Sequence, residues 1–433
     1  MVRILLFVLF TLSMIILITT TQFLSSHIQM AYSIPATSSS CITYKAIVRM
    51  ITVNCSSATL TDIYNYFHDN SILSKQSPDG VWLLNANLVI AKGAAFHIDS
   101  GDTKWLRISS DGTSGVSNPP YSIDVHGSLK IDSVKITSWD PTTNYYAITN
   151  GTRNNTGGSK DVTVTGAPRP FITVEKDSTG TTDITNSEIA YLGYEKGTFS
   201  GVGTSGLNFY GGDGSVLSND NIHDLYFGFY SRGVGGMVIE KSQIYHNTIY
   251  GLDPHTGTHD MIIRNNVVYD NGQFGIICSL NCNNVTIENN QVYNNGDNDT
   301  GAGIMFSRNM INSVALNNNI HGESVGVSIS SSHANHIYNN TISNSGDGID
   351  IKNSTNNRIH DNTVINSTNG LDTSAVGAGA SNIIYNNHFI HSQTGANTNA
   401  DSTSNQPVSI KHQHYHKHSV VNSNAHAGFL IPS

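Results

Sequence analysis

The stretch IRNNVVYDNGQFGII, residues 263–277, decides the fold, because the chain repeats its pattern many times. An apolar residue opens the unit, a small polar residue, most often Asn, stands three positions on, and another apolar residue follows it. Some eight residues later comes Gly with a further apolar residue. Units of this form begin at Ile184, Leu217, Ile239, Ile263, Ile287, Leu316, Ile337, Ile359 and Ile384, mostly 21 to 25 residues apart. The polar turn position then falls at Ser187, Asp220, Ser242, Asn266, Asn290, Asn319, Asn340, Asn362 and Asn387.

A fixed period of this size, short β-branched runs and Gly turns fit neither a helical solenoid nor a propeller blade. They predict an all-β chain wound as a parallel β-helix, each coil holding about three short strands. Asn suits the turns because it accepts left-handed backbone geometry and can bond to its counterpart one coil away.

The flanking text fills in the organisation. Arg3 precedes an apolar run from Ile4 to Ile18, which reads as a secretory signal cleaved around Ala31–Ser33. A retained anchor is the alternative, since the run falls only slightly short of a bilayer span. A short helix is expected near Leu60–Phe67, and strands through Val81–Ser109 and Tyr121–Trp139. Residues 140–160 are expected to form a protruding loop. The tail places His412, His414, His416 and His418 at alternate positions, one face of a strand, where a polar cap strand or basic tail is favoured over a weak metal site. The expected division is signal or anchor at 1–33, capping region at 34–100, β-helix at 101–393, and linker with His-rich tail at 394–433.

Composition narrows the function. Only 12% of the 433 residues are charged and the net charge is -9, so no basic stripe exists to neutralise nucleic-acid phosphates. Cys41 and Cys55 lie close together, as do Cys278 and Cys282. Four cysteines in an exported chain suggest two local disulfides, although three connectivities exist. Sequons at Asn150, Asn284, Asn339 and Asn366 would permit surface glycans. No cofactor is expected; calcium is not indicated, since no Asp-rich calcium repeat is written in the chain. A monomer is expected.

The Gly of each unit serves as a ruler: Gly228, Gly251, Gly275, Gly303, Gly326, Gly348 and Gly370. Two positions on, it stacks Tyr230, Asp253, Ile277, Met305, Ser328, Asp350 and Asp372. Four positions on, it stacks Arg232, His255, Ser279, Ser307, Ser330 and Lys352. Asp253 and His255 therefore share one face of a strand, with Pro254 on the other. An acid beside an ionisable His, flanked by Tyr250 and Arg232, is an acid–base constellation in which Asp253 is expected to orient the imidazole and raise its basicity.

The text YGLDPHTGTHDMIIRNNVVYDNGQFGIICS, residues 250–279, resembles the active-site coils of mannuronan C5-epimerases, whose hallmark is Tyr-Gly-x-Asp-Pro-His-Asp/Glu before a Gly-Ile-Ile strand. The likeness runs over about 201–387, and GIMFSRNMINSV, residues 303–314, resembles the next coil of the periplasmic branch. It implies a right-handed helix acting on an acidic polysaccharide, a polyuronate, by removing the C5 proton and returning one to the opposite face. His255 matches the family's base, Asp253 the acid and Tyr250 the tyrosine near the opposite face. Arg232, Arg308, Ser279 and His259 are the candidate substrate-binding residues, with no metal ligands among them. Two departures stand out: Thr256 replaces the motif's last acid, and Leu280 replaces the arginine that the periplasmic branch uses to neutralise the substrate carboxylate. The rival readings are a polyuronate lyase and a non-catalytic, glycan-binding or structural surface β-helix.

Overall fold

The computed structural model describes residues 41–110, 120–153, 162–166, 168–194, 204–296, 301–376, 381–398, 408–411, 414–415 and 420–423. The expected signal segment at 1–33, and His412, His416 and His418 of the tail, lie outside the described residues. Among the described residues the strands form three long sheets, of 15, 13 and 14 strands, and successive coils contribute strands to each in turn. Successive coils pair in parallel and in register, the antiparallel pairs Ile42–Lys45 with Met50–Val53 and Leu73–Gln76 with Val81–Leu84 standing at the N-terminal edge of their sheets. Ile239 stands on Ile263, Ile263 on Ile287, and Ile287 on Ala315.

The inward positions form apolar columns. Phe229, Leu252, Ile276, Ile304, Val327, Ile349 and Leu371 follow one another in one column, all fully buried. Each such side chain contributes about 1.5–3 kcal/mol relative to exposure, so the columns supply the main cohesion between coils.

The corners are held by polar ladders. Asn266 N donates to Asn290 Oδ1, Asn290 N to Asn318 Oδ1, Asn318 N to Asn340 Oδ1 and Asn340 N to Asn362 Oδ1, each at 3.0 Å. The ladder residue is Asn318, not Asn319 as the repeat count placed it. The unit opens one residue earlier, at buried Ala315, and Asn319 begins the next strand on an exposed position. Two further ladders run parallel to the first, through Asn247–Asn271–Asn295–Glu323 and Ser313–Asn335–Asn357–Asn382. Each satisfies a backbone N–H that the tight turn would otherwise leave without a partner.

The N-terminal end is closed by the α-helix Leu60–Phe67, where the sequence placed it. Thr59 and Asp62 form a capping box, and Leu60 and Ile63 face the core. Parallel stacking begins well before residue 101: Met50–Val53 pairs with Asn87–Ile90, and Ala95–Asp99 with Ser128–Asp132. Residues 41–100, expected as part of a capping region, thus carry true coils as well as the helix, with turns that lack the Asn signature. The interval 140–160, expected as a protruding loop, carries the strand Thr149–Arg153, which pairs antiparallel with Val162–Gly166 just beyond it. Cys41–Cys55 and Cys278–Cys282 are disulfides, which settles the connectivity as local.

Candidate active site

The strand Tyr250–His255 lies within the 15-stranded sheet, between Phe227–Arg232 and Phe274–Ser279. Its residues do not simply alternate. A Cβ on Gly251 would fall 2.5 Å from the carbonyl oxygen of Gly275 and 2.8 Å from Val268 Cγ1, so Gly251 faces inward, as does Leu252 after it. Two consecutive inward residues shift the parity, and only glycine fits the first of them. Tyr250 and Asp253, three apart, are thereby brought to the outer face together with His255. The glycine ruler is thus a steric requirement, repeated at Gly228, Gly275, Gly303, Gly326, Gly348 and Gly370.

The register places Tyr230 beside Asp253 and Arg232 beside His255 on the preceding coil, and Ser279 beside His255 on the following one. Ser307, Ser330 and Lys352 continue that column. Pro254 faces inward beside Ser231. Toward the next coil the partners are Tyr250–Phe274, Leu252–Ile276 and His255–Ser279, with none at Pro254, which has no N–H to give.

Asp253 is outward yet only 2% exposed, and its Oδ1 has no hydrogen-bond partner. Burial pushes its carboxyl well above the usual carboxylate range. His255 is half-buried. Its pKa is lowered by burial first and then by the charges of Arg308 and Arg232, so the ring is neutral near pH 7. Its Nδ1 lies 2.6 Å from Thr256 Oγ1.

The expected Asp253–His255 partnership is therefore corrected. Among the described residues the two side chains make no hydrogen bond to each other, and Asp253 Oδ1 has no partner. Thr256, at φ 36 in the turn, instead folds its hydroxyl back onto Nδ1. The imidazole is held by a neutral hydroxyl and its basicity is lowered, not raised.

Arg232 and Arg308 are exposed, and neither forms an ion pair among the described residues. Leu280 and Arg308 occupy equivalent turn positions, both with left-handed backbone, φ 60 and 50. Gly257 N donates to Leu280 O and Asn281 N to Arg308 O, so Leu280 sits one coil from Thr256 and Arg308 two. Ser279 is buried in the column beside His255. His259 is placed elsewhere: beyond the turn, its ring covers Gly235 and its Nδ1 lies 2.8 Å from Asp260 Oδ2. None of its described contacts reaches Asp253 or His255.

One neighbour was missed in the sequence. The Tyr230 ring centroid lies 5.5 Å from that of His255, and its phenol is pushed up to about 12 by burial and then by Asp253. The signal was available, since Tyr230 shares the ruler offset of Asp253. Tyr250 packs between Phe227 at 4.8 Å and Phe274 at 5.3 Å, an aromatic wall along one edge of the face.

Fold and site together define a right-handed parallel β-helix protein with an outward acid–base face. Residues 149–320 match a family described as right handed beta helix region, and residues 277–420 match the periplasmic copper-binding protein (NosD) family. The chain is similar to the mannuronan C5-epimerase of Pseudomonas fluorescens, 28% identical over 196 residues, 43% of this chain and 32% of that protein. It is similar in the same degree to that of Pseudomonas putida, 28% identical over 190 residues, 42% of this chain and 32% of the relative. The match therefore spans about a third of the length of these relatives. Among solved structures, the periplasmic alginate epimerase AlgG superposes with a TM-score of 0.67 at 21% identity, covering 85% of this chain and 87% of that one. This likeness establishes the shared fold.

Proposed function

We propose that the face around His255 is the active site of a polyuronate C5-epimerase, an isomerase converting mannuronate to guluronate residues within an acidic polysaccharide such as alginate. The observation that carries this reading is a neutral imidazole, His255, standing in an outward column with a buried carboxyl and two arginines that bear on it electrostatically. The named activity of the mannuronan C5-epimerases to which the chain is similar supports it.

The chemistry requires removal of a hydrogen α to a carboxylate. In the tautomer whose Nδ1–H donates to Thr256 Oγ1, His255 Nε2 carries the lone pair that takes the C5 proton. The electron pair of the broken C–H bond moves into the carboxylate, which gains negative charge. Burial holds the Asp253 carboxyl well above the usual carboxylate range, and in its protonated form it can donate a hydrogen bond to that carboxylate, while the charges of Arg232 and Arg308 make the potential of the face more positive. Such donors partly replace the cation that Leu280 does not provide. Tyr250, or a water on the opposite side of the sugar, returns a proton to C5 and inverts the centre. Export, to the periplasm, the cell surface or beyond, is part of the same reading and is supported by the apolar leader and two disulfides.

The test is incubation with polymannuronate in deuterated water, following deuterium at C5 and ultraviolet absorbance of unsaturated ends. Exchange without absorbance, lost in His255→Ala, is the expected result. Absorbance would instead assign a lyase, and neither signal would assign a glycan-binding protein.

A further inference from the structure

A disulfide lies in the core one coil on from His255. Cys278 and Cys282 are joined, both fully buried, and the bond brackets the turn formed by Ser279, Leu280 and Asn281. Leu280 and Asn281 both hold left-handed backbone, φ 60 and 68, which residues with a Cβ disfavour. The carbonyls of this turn carry the neighbouring one: Thr256 N donates to Ser279 O and Gly257 N to Leu280 O, each at 2.9 Å. Thr256 in turn sets its hydroxyl 2.6 Å from His255 Nδ1. A path of close contacts therefore runs from the disulfide, through two backbone hydrogen bonds, to the imidazole.

The bond stands where the ladder between the two coils is interrupted. No pair lies between Leu252–Ile276 and His255–Ser279, and Cys278 faces Pro254, which has no N–H, across that gap. Cys282 Sγ packs into it, 3.4 Å from Pro254 O and 3.5 Å from Ser279 O. One coil further on, Phe306 and Met310 take the places of Cys278 and Cys282. There the ladder runs unbroken through Met305–Ser328, Phe306–Ile329 and Ser307–Ser330. The covalent brace thus coincides with the gap that Pro254 creates. We propose that the Cys278–Cys282 disulfide is a positioning element for His255, holding the Thr256 turn so that its hydroxyl keeps the imidazole in one tautomer and one orientation. The inference rests on the reading of His255 as the base that removes the C5 proton. Without the brace the coils stay stacked and the outer face stays intact, but the Thr256 turn shifts against the ring, so the chemical step suffers and polymer binding does not.

The experiment compares the full chain with two double variants. One is Cys278→Ala with Cys282→Ala; the other is Cys278→Phe with Cys282→Met, the apolar pair that the next coil packs without a disulfide. Deuterium exchange at C5 of polymannuronate gives kcat and KM, and NMR of the His255 ring nitrogens gives the tautomer. The expected result is a kcat lower by about tenfold to a hundredfold at unchanged KM, with the single tautomer of the parent replaced by a mixture. Thr256→Val with the disulfide intact should lose as much, and adding it to a Cys variant should lose no more, since both act through one hydrogen bond. Parent kcat and a single tautomer in a folded Cys variant, or losses that add to that of Thr256→Val, overturn the proposal. Circular dichroism verifies each fold, and the Phe and Met pair decides the matter should the Ala pair unfold. No exchange by the parent overturns the epimerase reading instead, and the tautomer comparison then decides this inference by itself.

Discussion

Asp220 stands in the first polar ladder, at a position that Asn fills in six of the later coils, and replacing it with Asn should stabilise the protein in a pH-dependent way. Its Oδ1 accepts from Ser187 N at 2.9 Å, while its Oδ2 is buried without a partner. At the equivalent positions the amide nitrogen does useful bonding: Asn266 Nδ2 donates to Ile239 O, and Asn290 Nδ2 to Ile263 O. Burial accordingly pushes the Asp220 carboxyl from 3.8 up to about 8. The proton is held at pH 7 in the folded chain and released in the unfolded one. At about 1.36 kcal/mol per pH unit over some three units, that costs about 4 kcal/mol as an upper bound. The sign follows from the raised folded value: the contribution is fully present below about pH 4 and is lost progressively as pH rises to about 8. Asp220→Asn removes the titration and adds a hydrogen bond worth about 1 kcal/mol. In urea unfolding followed by circular dichroism, the variant should lead by about 1 kcal/mol at pH 4 and by several at pH 8. A lead that does not grow with pH, or a variant weaker at pH 8, would refute the reasoning.

Three further outcomes test the site. Arg232→Ala and Arg308→Ala should each raise the His255 pKa, because both charges hold it down, so the acid limb of the exchange-rate profile moves to higher pH; an unmoved limb would show that the charges do not reach the ring. Leu280→Arg should raise the exchange rate at least tenfold by returning a cation one coil from His255, and Arg308 shows that arginine is accommodated at this turn; an unchanged rate would mean that Asp253 and the existing arginines already suffice. Gly251→Ala forces a Cβ against Gly275 O and Val268, so a loss of about 1–3 kcal/mol in thermal or urea unfolding is expected, together with reduced exchange; wild-type stability would mean that the corner can relax.

Much of the site could be read before the structure because stacking in a parallel coil is one-dimensional. Equal offsets from a recurring glycine are register partners, and the pairs Tyr230–Asp253, Arg232–His255 and His255–Ser279 follow from counting alone. Counting failed where a small residue, Ala315, opens a unit, so that the count began at Leu316 and put the ladder at Asn319 instead of Asn318. It was also silent on the two ladders whose residues alternate among Asn, Ser and Glu. His259 looked near to His255 in sequence, but the turn at Thr256–Gly257 carries the chain around a corner between them.

The periodicity of apolar residues, Asn and Gly by itself determined the coil, its sheets and which residues share the outer face, since each of these depends only on repeat spacing. The tertiary structure alone decided the ionisation and partners of those residues. Asp253 is outward by pattern yet only 2% exposed beside Tyr230, and that burial pushes its carboxyl well above the usual carboxylate range. The imidazole of His255 leans on a hydroxyl and senses two arginines from other coils. Spacing is a property of the chain, whereas desolvation and electrostatic potential are sums over everything packed nearby, and those sums exist only once the coils are stacked.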